Sequence, residues 1–313
     1  MILVILTVVL PVFLVIGAGY LATRTGVFAQ SGVDGLMTFT QNFAIPCLLF
    51  RALVDLDLGR AFDPGLLVAF YAGAVSTFVL GILGARRIFG RRPGEAVAIG
   101  FGALFSNSVL LGLPIMERAY GAAALDSNYA IISIHAPVCY LLGITAMEFA
   151  RADGRGPFGT LGAVTTAMFR NALMIGLALG FAVNLGDITV PGTVRGAVDL
   201  MATAALPAAL FGLGGVLTRY RLRASLAEAG LTAGLSLVVH PMITMGLALL
   251  LALPVEFVRS AVVTAAMAPG VNTYIFASMY SRGQAQAASA VLIGTALSVL
   301  TASAWLAWLG GVQ

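Results

Sequence analysis

Apolar runs close to the roughly 20 residues that carry a helix across hydrocarbon follow one another along the whole chain. They lie at 1–23, 34–54, 64–85, 95–117, 128–149, 171–188, 196–218, 225–253, 256–280 and 286–309. The linkers between them are short and leave no room for a soluble domain. Inside a bilayer every backbone N–H and C=O must find a partner in the protein, which restricts spanning segments to helices and closed barrels. The runs are continuous and do not alternate, so a barrel is excluded. Charged residues make up only 10% of the chain, against about 25% in soluble domains. The expected fold is therefore an all-α membrane protein with ten transmembrane helices and the lipid bilayer as its surroundings. The chain is apolar from Met1 onward and lacks a basic leader or an A-x-A site, so the first run reads as a span and not a signal peptide.

All 17 basic residues are arginines, and they gather in the linkers. No nucleic-acid partner is expected from so dispersed a charge. On the side reached after the first span lie Arg24, Arg86, Arg87, Arg91, Arg92, Arg151, Arg155, Arg170, Arg219, Arg221, Arg223 and Arg282; Arg51, Arg60, Arg118, Arg195 and Arg259 lie on the other. Excess Arg marks the cytoplasmic side, which predicts two periplasmic termini in a bacterial inner membrane. Starting the sixth span at Asn171 keeps Arg170 out of hydrocarbon, where it would cost about 2.5 kcal/mol or more. The stretch Phe158–Phe169 is then expected to lie along the interface.

The two halves repeat. Pro46-Cys47-Leu48-Leu49-Phe50 and Pro207-Ala208-Ala209-Leu210-Phe211 both read P-x-x-L-F at an offset of 161, which Gly19 and Gly180 share. Ser106-Asn107-Ser108 resembles Val271-Asn272-Thr273 at an offset of 165. These matches pair spans 1, 2 and 4 with 6, 7 and 9. Five spans is an odd number, so the repeats, 1–150 and 151–313, enter from opposite sides, an architecture common among transporters.

Such proteins hold their ligand near the midplane, where discontinuous helices meet. Two spans carry breakers at corresponding places. The fourth has Ser106-Asn107-Ser108 followed by Gly112-Leu113-Pro114, where Pro114 is expected to interrupt the helix. The ninth has Pro269-Gly270-Val271-Asn272-Thr273-Tyr274. Asn107, Ser108, Asn272, Thr273 and Tyr274 are the substrate-binding candidates, with Gln41 and Asn42 beside the Pro46 kink. Gly112, Pro114, Pro269, Gly270, Pro46 and Pro207 are the hinge candidates. Polar residues at helix breaks also serve as interhelical glue, but two in matched places favour a cavity. Half-helix N-termini facing it would attract an anion.

His135 and His240 are the only histidines, both within spans, and are candidates for carrying a coupling proton, although their repeat positions do not match. No acid or arginine occupies a span centre, so an anion there must be held by backbone and amides. Cys47 and Cys139 have no metal-ligand spacing and read as packing residues; no metal or cofactor is expected beyond a coupling H+ or Na+. Gly176-x-x-x-Gly180 and Gly230-x-x-x-Gly234 suggest close helix approach.

Taken in order, Leu10-Pro11-Val12-Phe13 to Gly17-Ala18-Gly19-Tyr20, Arg24-Thr25-Gly26-Val27-Phe28, Asn42 to Phe50, Ser106 to Ile115 and Arg170-Asn171 resemble the auxin efflux carrier family. That family includes plant auxin exporters and bacterial relatives often labelled malonate or organic-acid transporters. Ala172 stands where the family commonly has Pro. The resemblance runs end to end. It implies ten helices with outward termini, a crossover of helices 4 and 9, a fold similar to bile acid:sodium symporters, and substrate contact at Asn107 opposite Pro269 and Asn272. It also implies a scaffold of helices 1, 2, 6 and 7, often a homodimer interface, beside a moving transport unit. The expected function is a secondary carrier for a small organic anion (a carboxylate or an amino acid). A sodium-coupled symporter, a channel and an intramembrane enzyme are the alternatives; for the last, no G-x-S-x-G, H-E-x-x-H or paired intramembrane aspartates occur.

Overall fold

The computed structural model describes residues 5–151, 172–220 and 226–310, and among these every regular element is a helix. Among the described residues seven helices have the length and apolar composition to cross a membrane: Thr7–Arg24, Gln30–Val54, Pro64–Arg87, Ala122–Ala150, Gly192–Leu217, Leu226–Leu250 and Gln284–Leu309. The main elements are α1 (Leu10–Arg24), α2 (Gln30–Phe39), α3 (Ile45–Val54), α4 (Pro64–Arg87), α5 (Pro93–Leu104), α6 (Leu113–Tyr120) and α7 (Asp126–Arg151). They continue with α8 (Ala172–Leu185), α9 (Gly192–Leu217), α10 (Leu226–Gly234), α11 (His240–Leu250), α12 (Val255–Ala265), α13 (Asn272–Met279) and α14 (Gln284–Leu309). The stretch Phe158–Phe169 and the Arg170-Asn171 helix start lie outside the described residues.

Proline explains much of this segmentation. Pro64 and Pro93 open α4 and α5, and Pro191 and Pro254 immediately precede α9 and α12, where a missing N–H costs nothing. Pro11, Pro46, Pro114 and Pro241 each occupy the second position of a helix that follows a five-residue π-helical turn: Ile5–Val9, Thr40–Ala44, Ser108–Gly112 and Leu235–Val239. A proline ring clashes with the carbonyl four residues back, and the wider turn avoids the clash. Ile45, Leu113 and His240 accordingly donate to carbonyls five residues back, on Thr40, Ser108 and Leu235. Pro114 therefore starts a helix; the expectation that it interrupts one is corrected. Pro46 and Pro207 also differ locally, because Pro207, like Pro137, lies inside an uninterrupted α-helix.

The chain divides into two compact units. One contains α2, α3, α8, α9 and α1 from Pro11 onward. Within it α3 packs on α8 and α9. The Asn184 amide donates to the carbonyls of Leu53, Val54 and Leu56 at 2.9–3.0 Å, pairing groups that the end of α3 leaves open. A Cβ on Gly19 would lie 1.9 Å from the Phe211 carbonyl oxygen, and one on Gly180 would lie 3.1 Å from that of Phe50. The two glycines that share an offset with the P-x-x-L-F motifs thus touch the motif phenylalanines. Gly176 likewise meets the Pro46 backbone, whereas Gly230 and Gly234 meet nothing within 4 Å, so the second spacing expected to bring helices together does not.

The other unit contains α4–α7 and α10–α14. Asp63 caps α4 by accepting from the Leu66 N–H at 2.8 Å. Leu66 and Phe70 of α4 pack with Ile131 of α7 and with Phe257, Ala261 and Ala265 of α12 in a buried apolar cluster. Glu228, in the first turn of α10, is buried and paired with Arg91.

Gly19→Ala is expected to destabilise the protein by about 1–3 kcal/mol through overpacking, read as a lower melting temperature in detergent. Gly230→Ala is expected to be neutral or to stabilise by about 0.5–1 kcal/mol, as Ala does in a helix. Equal melting temperatures for the two variants would refute the assigned contact.

Candidate functional site

The runs expected at 95–117 and 256–280 are each interrupted, and the interruptions pair with each other. α5 ends at Leu104 and α12 at Ala265. Between their ends and the helices that follow, the Asn107 N–H donates to the Ala268 carbonyl at 2.8 Å and the Gly270 N–H to that of Phe105 at 3.0 Å. This forms an antiparallel bridge between Ser106 and Pro269. The flanking residues make both hydrogen bonds, so a proline fits at the bridge without orphaning a donor. Neighbouring hydroxyls pair further exposed carbonyls: Thr77 donates to Ala103 at 3.1 Å and Ser236 to Met267 at 2.9 Å. The backbone of α14 comes close as well, since a Cβ on Gly294 would lie 2.6 Å from Pro269 Cδ.

Ser106, Asn107, Ser108 and Thr273 are buried at this bridge. Ser106 Oγ, Asn107 Nδ2 and Thr273 Oγ1 have no hydrogen-bond partner. Buried polar atoms are nearly always paired, so three unpartnered groups along two abutting segments make this bridge the candidate site. Asn272 is half-buried at the start of α13, and its Oδ1 accepts from the Tyr140 hydroxyl at 3.2 Å. Tyr274 is half-buried with its ring 5.1 Å from that of Tyr220. Gly270 packs against Asn107, and Gly112 against Met267. The bridge has its own local two-fold, which relates Ser106 to Pro269 and Asn107 to Gly270. Asn272 is thus two residues displaced from the position equivalent to Asn107. Gln41 and Asn42 sit on the π-helical turn of the other compact unit, Asn42 exposed and Gln41 partly so.

An aromatic cluster surrounds the bridge. Phe101 stacks on Phe276 with centroids 3.9 Å apart, and Phe105 stands 5.8 Å from Tyr140. The histidines, unmatched in the repeat, meet here. His135 and His240 are both buried and pack on Phe70, at 5.5 and 5.0 Å. His135 also packs edge-on against Phe105 at 4.8 Å and faces the Ser106 backbone. The His240 Nε2–H donates to the Phe70 carbonyl at 3.2 Å, which leaves Nδ1 unpartnered.

Composition gave no signal for Tyr140, Thr77, Ser236 or Phe70, because each reads as an ordinary span residue. Asn128 is a further omission: buried in α7, it donates to Thr264 Oγ1 of α12 at 2.7 Å. Among the described residues no three His, Cys, Asp or Glu side chains gather as metal ligands. Among the described residues the bridge carries amide and hydroxyl groups and no cationic side chain, a set suited to hydrogen bonding with a polar group.

Several apolar helices of membrane-crossing length mark an integral membrane protein, and the family match places it in the transporter class. The chain belongs to the family described as "Membrane transport protein", which it matches over residues 4–157 and 159–306; this is the auxin efflux carrier family. A Rhizobium meliloti protein named "Putative malonate transporter" is 27% identical over 307 residues, covering 95% of this chain and 93% of that protein. An "Uncharacterized transporter" of Methanothermobacter thermautotrophicus is 26% identical over 95% of this chain and 96% of its own. A rice protein named "Probable auxin efflux carrier component 5c" is 23% identical over 96% of both.

Tyr140→Phe is expected to cost about 1 kcal/mol by removing the donor to Asn272. A double-mutant cycle with Asn272→Ala, read by denaturant melts, should give a coupling of about 0.5–1.5 kcal/mol; additive effects would show that the pair does not interact.

Proposed function

We propose that the protein is a secondary carrier that moves a small organic anion by alternating access, with the anion held where the two interrupted segments meet. The observation that carries this reading is the Ser106–Pro269 bridge, with unpartnered donors on Ser106, Asn107 and Thr273 beside it. Membership of a transporter family supports the carrier class. The name of the Rhizobium relative makes malonate the first substrate to try.

In this reading the interrupted runs are the fourth and ninth of ten helices and cross at the site. The chain is two inverted five-helix repeats, 1–150 and 151–313. The paired contacts Gly19–Phe211 and Gly180–Phe50 support that symmetry, because motif positions with one offset make the same contact twice. The anion is bound by Asn107, Ser108, Asn272, Thr273 and Tyr274. Gly112, Pro114, Pro269 and Gly270 shape the place where it binds, and Pro46 and Pro207 bend the helices of their own unit. Helices 1, 2, 6 and 7 form the scaffold and a homodimer interface, while the rest carry the anion. The two compact units, one made of α1–α3, α8 and α9, support this division of labour. The arginine distribution favours periplasmic termini in a bacterial inner membrane.

Selectivity then comes from direction. The segment beginning at Ser108 and α13 both start at the bridge, so their partial positive N-terminal ends lie where the anion binds. In proteoliposomes loaded with purified protein, uptake of radiolabelled malonate should fall at least about tenfold for Asn107→Ala, the loss of roughly 1.4 kcal/mol, and also fall for Asn272→Ala. Undiminished flux in both variants would sink the assignment of the site.

A further inference from the structure

We propose that His135 takes up a proton with each bound anion, so that the carrier is a proton–carboxylate symporter. This rests on the carrier reading above. The argument begins with unbalanced charge. A carboxylate beside Asn107 would meet amides, hydroxyls and helix ends but no guanidinium, and a buried anion without a counter-charge is costly. The histidine cluster has the opposite shortage. His135 is faced by Cys139 of its own helix at 3.6 Å, by Phe70 and Tyr71 of α4, by Phe105 and the Ser106 backbone, and across Phe70 by His240 of α11. His240 is faced by Phe70 and its carbonyl, and by Gly73. Among the described residues none of these partners is a carboxylate or a guanidinium, so an imidazolium there would also be uncompensated.

Each charge supplies what the other lacks. Ser106 is adjacent to Asn107 in sequence and faces His135, so a cation on that ring lies beside the segment that receives the anion. Binding of either then favours binding of the other, and the two effects are equal by linkage. His135 is the seat because it touches the interrupted segment through Phe105 and Ser106, whereas His240 directs Nε2–H to the Phe70 carbonyl. Two cationic rings packed on one phenylalanine would repel, so the pair takes one proton and not two. No Asp, Glu or Arg is needed at a span centre, in keeping with the sequence.

The test uses the full-length protein in proteoliposomes that contain a pH-sensitive dye, with radiolabelled malonate, succinate and phenylacetate as probes. For a transported probe, the expected result is internal acidification with uptake. A gradient of one pH unit, acid outside, should support up to about tenfold accumulation for one proton per anion. His135→Gln should lose that response to the gradient. His240→Gln serves as a second variant, expected to shift the pH dependence without abolishing the proton movement. Uptake without acidification of the wild-type vesicles, or a gradient response intact in folded His135→Gln, overturns this inference and leaves the carrier reading standing. If the wild-type protein moves none of the three probes, the carrier reading falls and this inference with it.

Discussion

A helix that stops inside hydrocarbon leaves backbone donors and acceptors with no water to meet, and everything around residues 105–107 and 266–271 follows from settling that debt. The bridge between Ser106 and Pro269 does it with two hydrogen bonds between the interruptions themselves. Thr77 and Ser236 meet two more carbonyls from outside. Once the main chain is served in this way, polar atoms of Ser106, Asn107 and Thr273 are left without a hydrogen-bond partner. A continuous helix would have had no need of the bridge and would have shown no such surplus.

The apolar runs and the helix breaks were marked in the sequence for different reasons. The apolar runs announce themselves because hydrocarbon thickness sets a length. In the ninth run Pro269-Gly270 falls between the helix that ends at Ala265 and the one that starts at Asn272. In the fourth run, proline pointed to the wrong residue. Pro114 is accommodated by a wide turn, while the chain leaves the helix at Phe105, where no breaker stands. At that break the backbone pairs with the partner segment. Single-chain reasoning has no access to an interaction of residues some 160 positions apart.

The histidines teach a related lesson. Judged by repeat register, His135 and His240 looked unrelated, yet both pack on Phe70. Phe70 carries no polar atom beyond its backbone and attracts no notice in a search for chemistry. Contacts through an aromatic ring leave no mark in motif spacing. The same holds for Tyr140, whose hydroxyl meets Asn272 from a different helix. By contrast Gly19 and Gly180 were findable, because a glycine at a close approach to backbone is an absence that the repeat made visible twice.

The wide turns before Pro11, Pro46, Pro114 and Pro241 have an effect beyond relieving a clash. A residue taken up in such a turn adds no corresponding helical advance, so the phase of everything after it shifts by about 100°, one residue's rotation at 3.6 per turn. His240 is the first residue after the turn Leu235–Val239, and Thr244 stands one turn later on the same face. Both point at Gly73 of α4. Their inward aim thus follows from the wide turn that the proline after His240 requires, which acts on the histidine as a rotational offset.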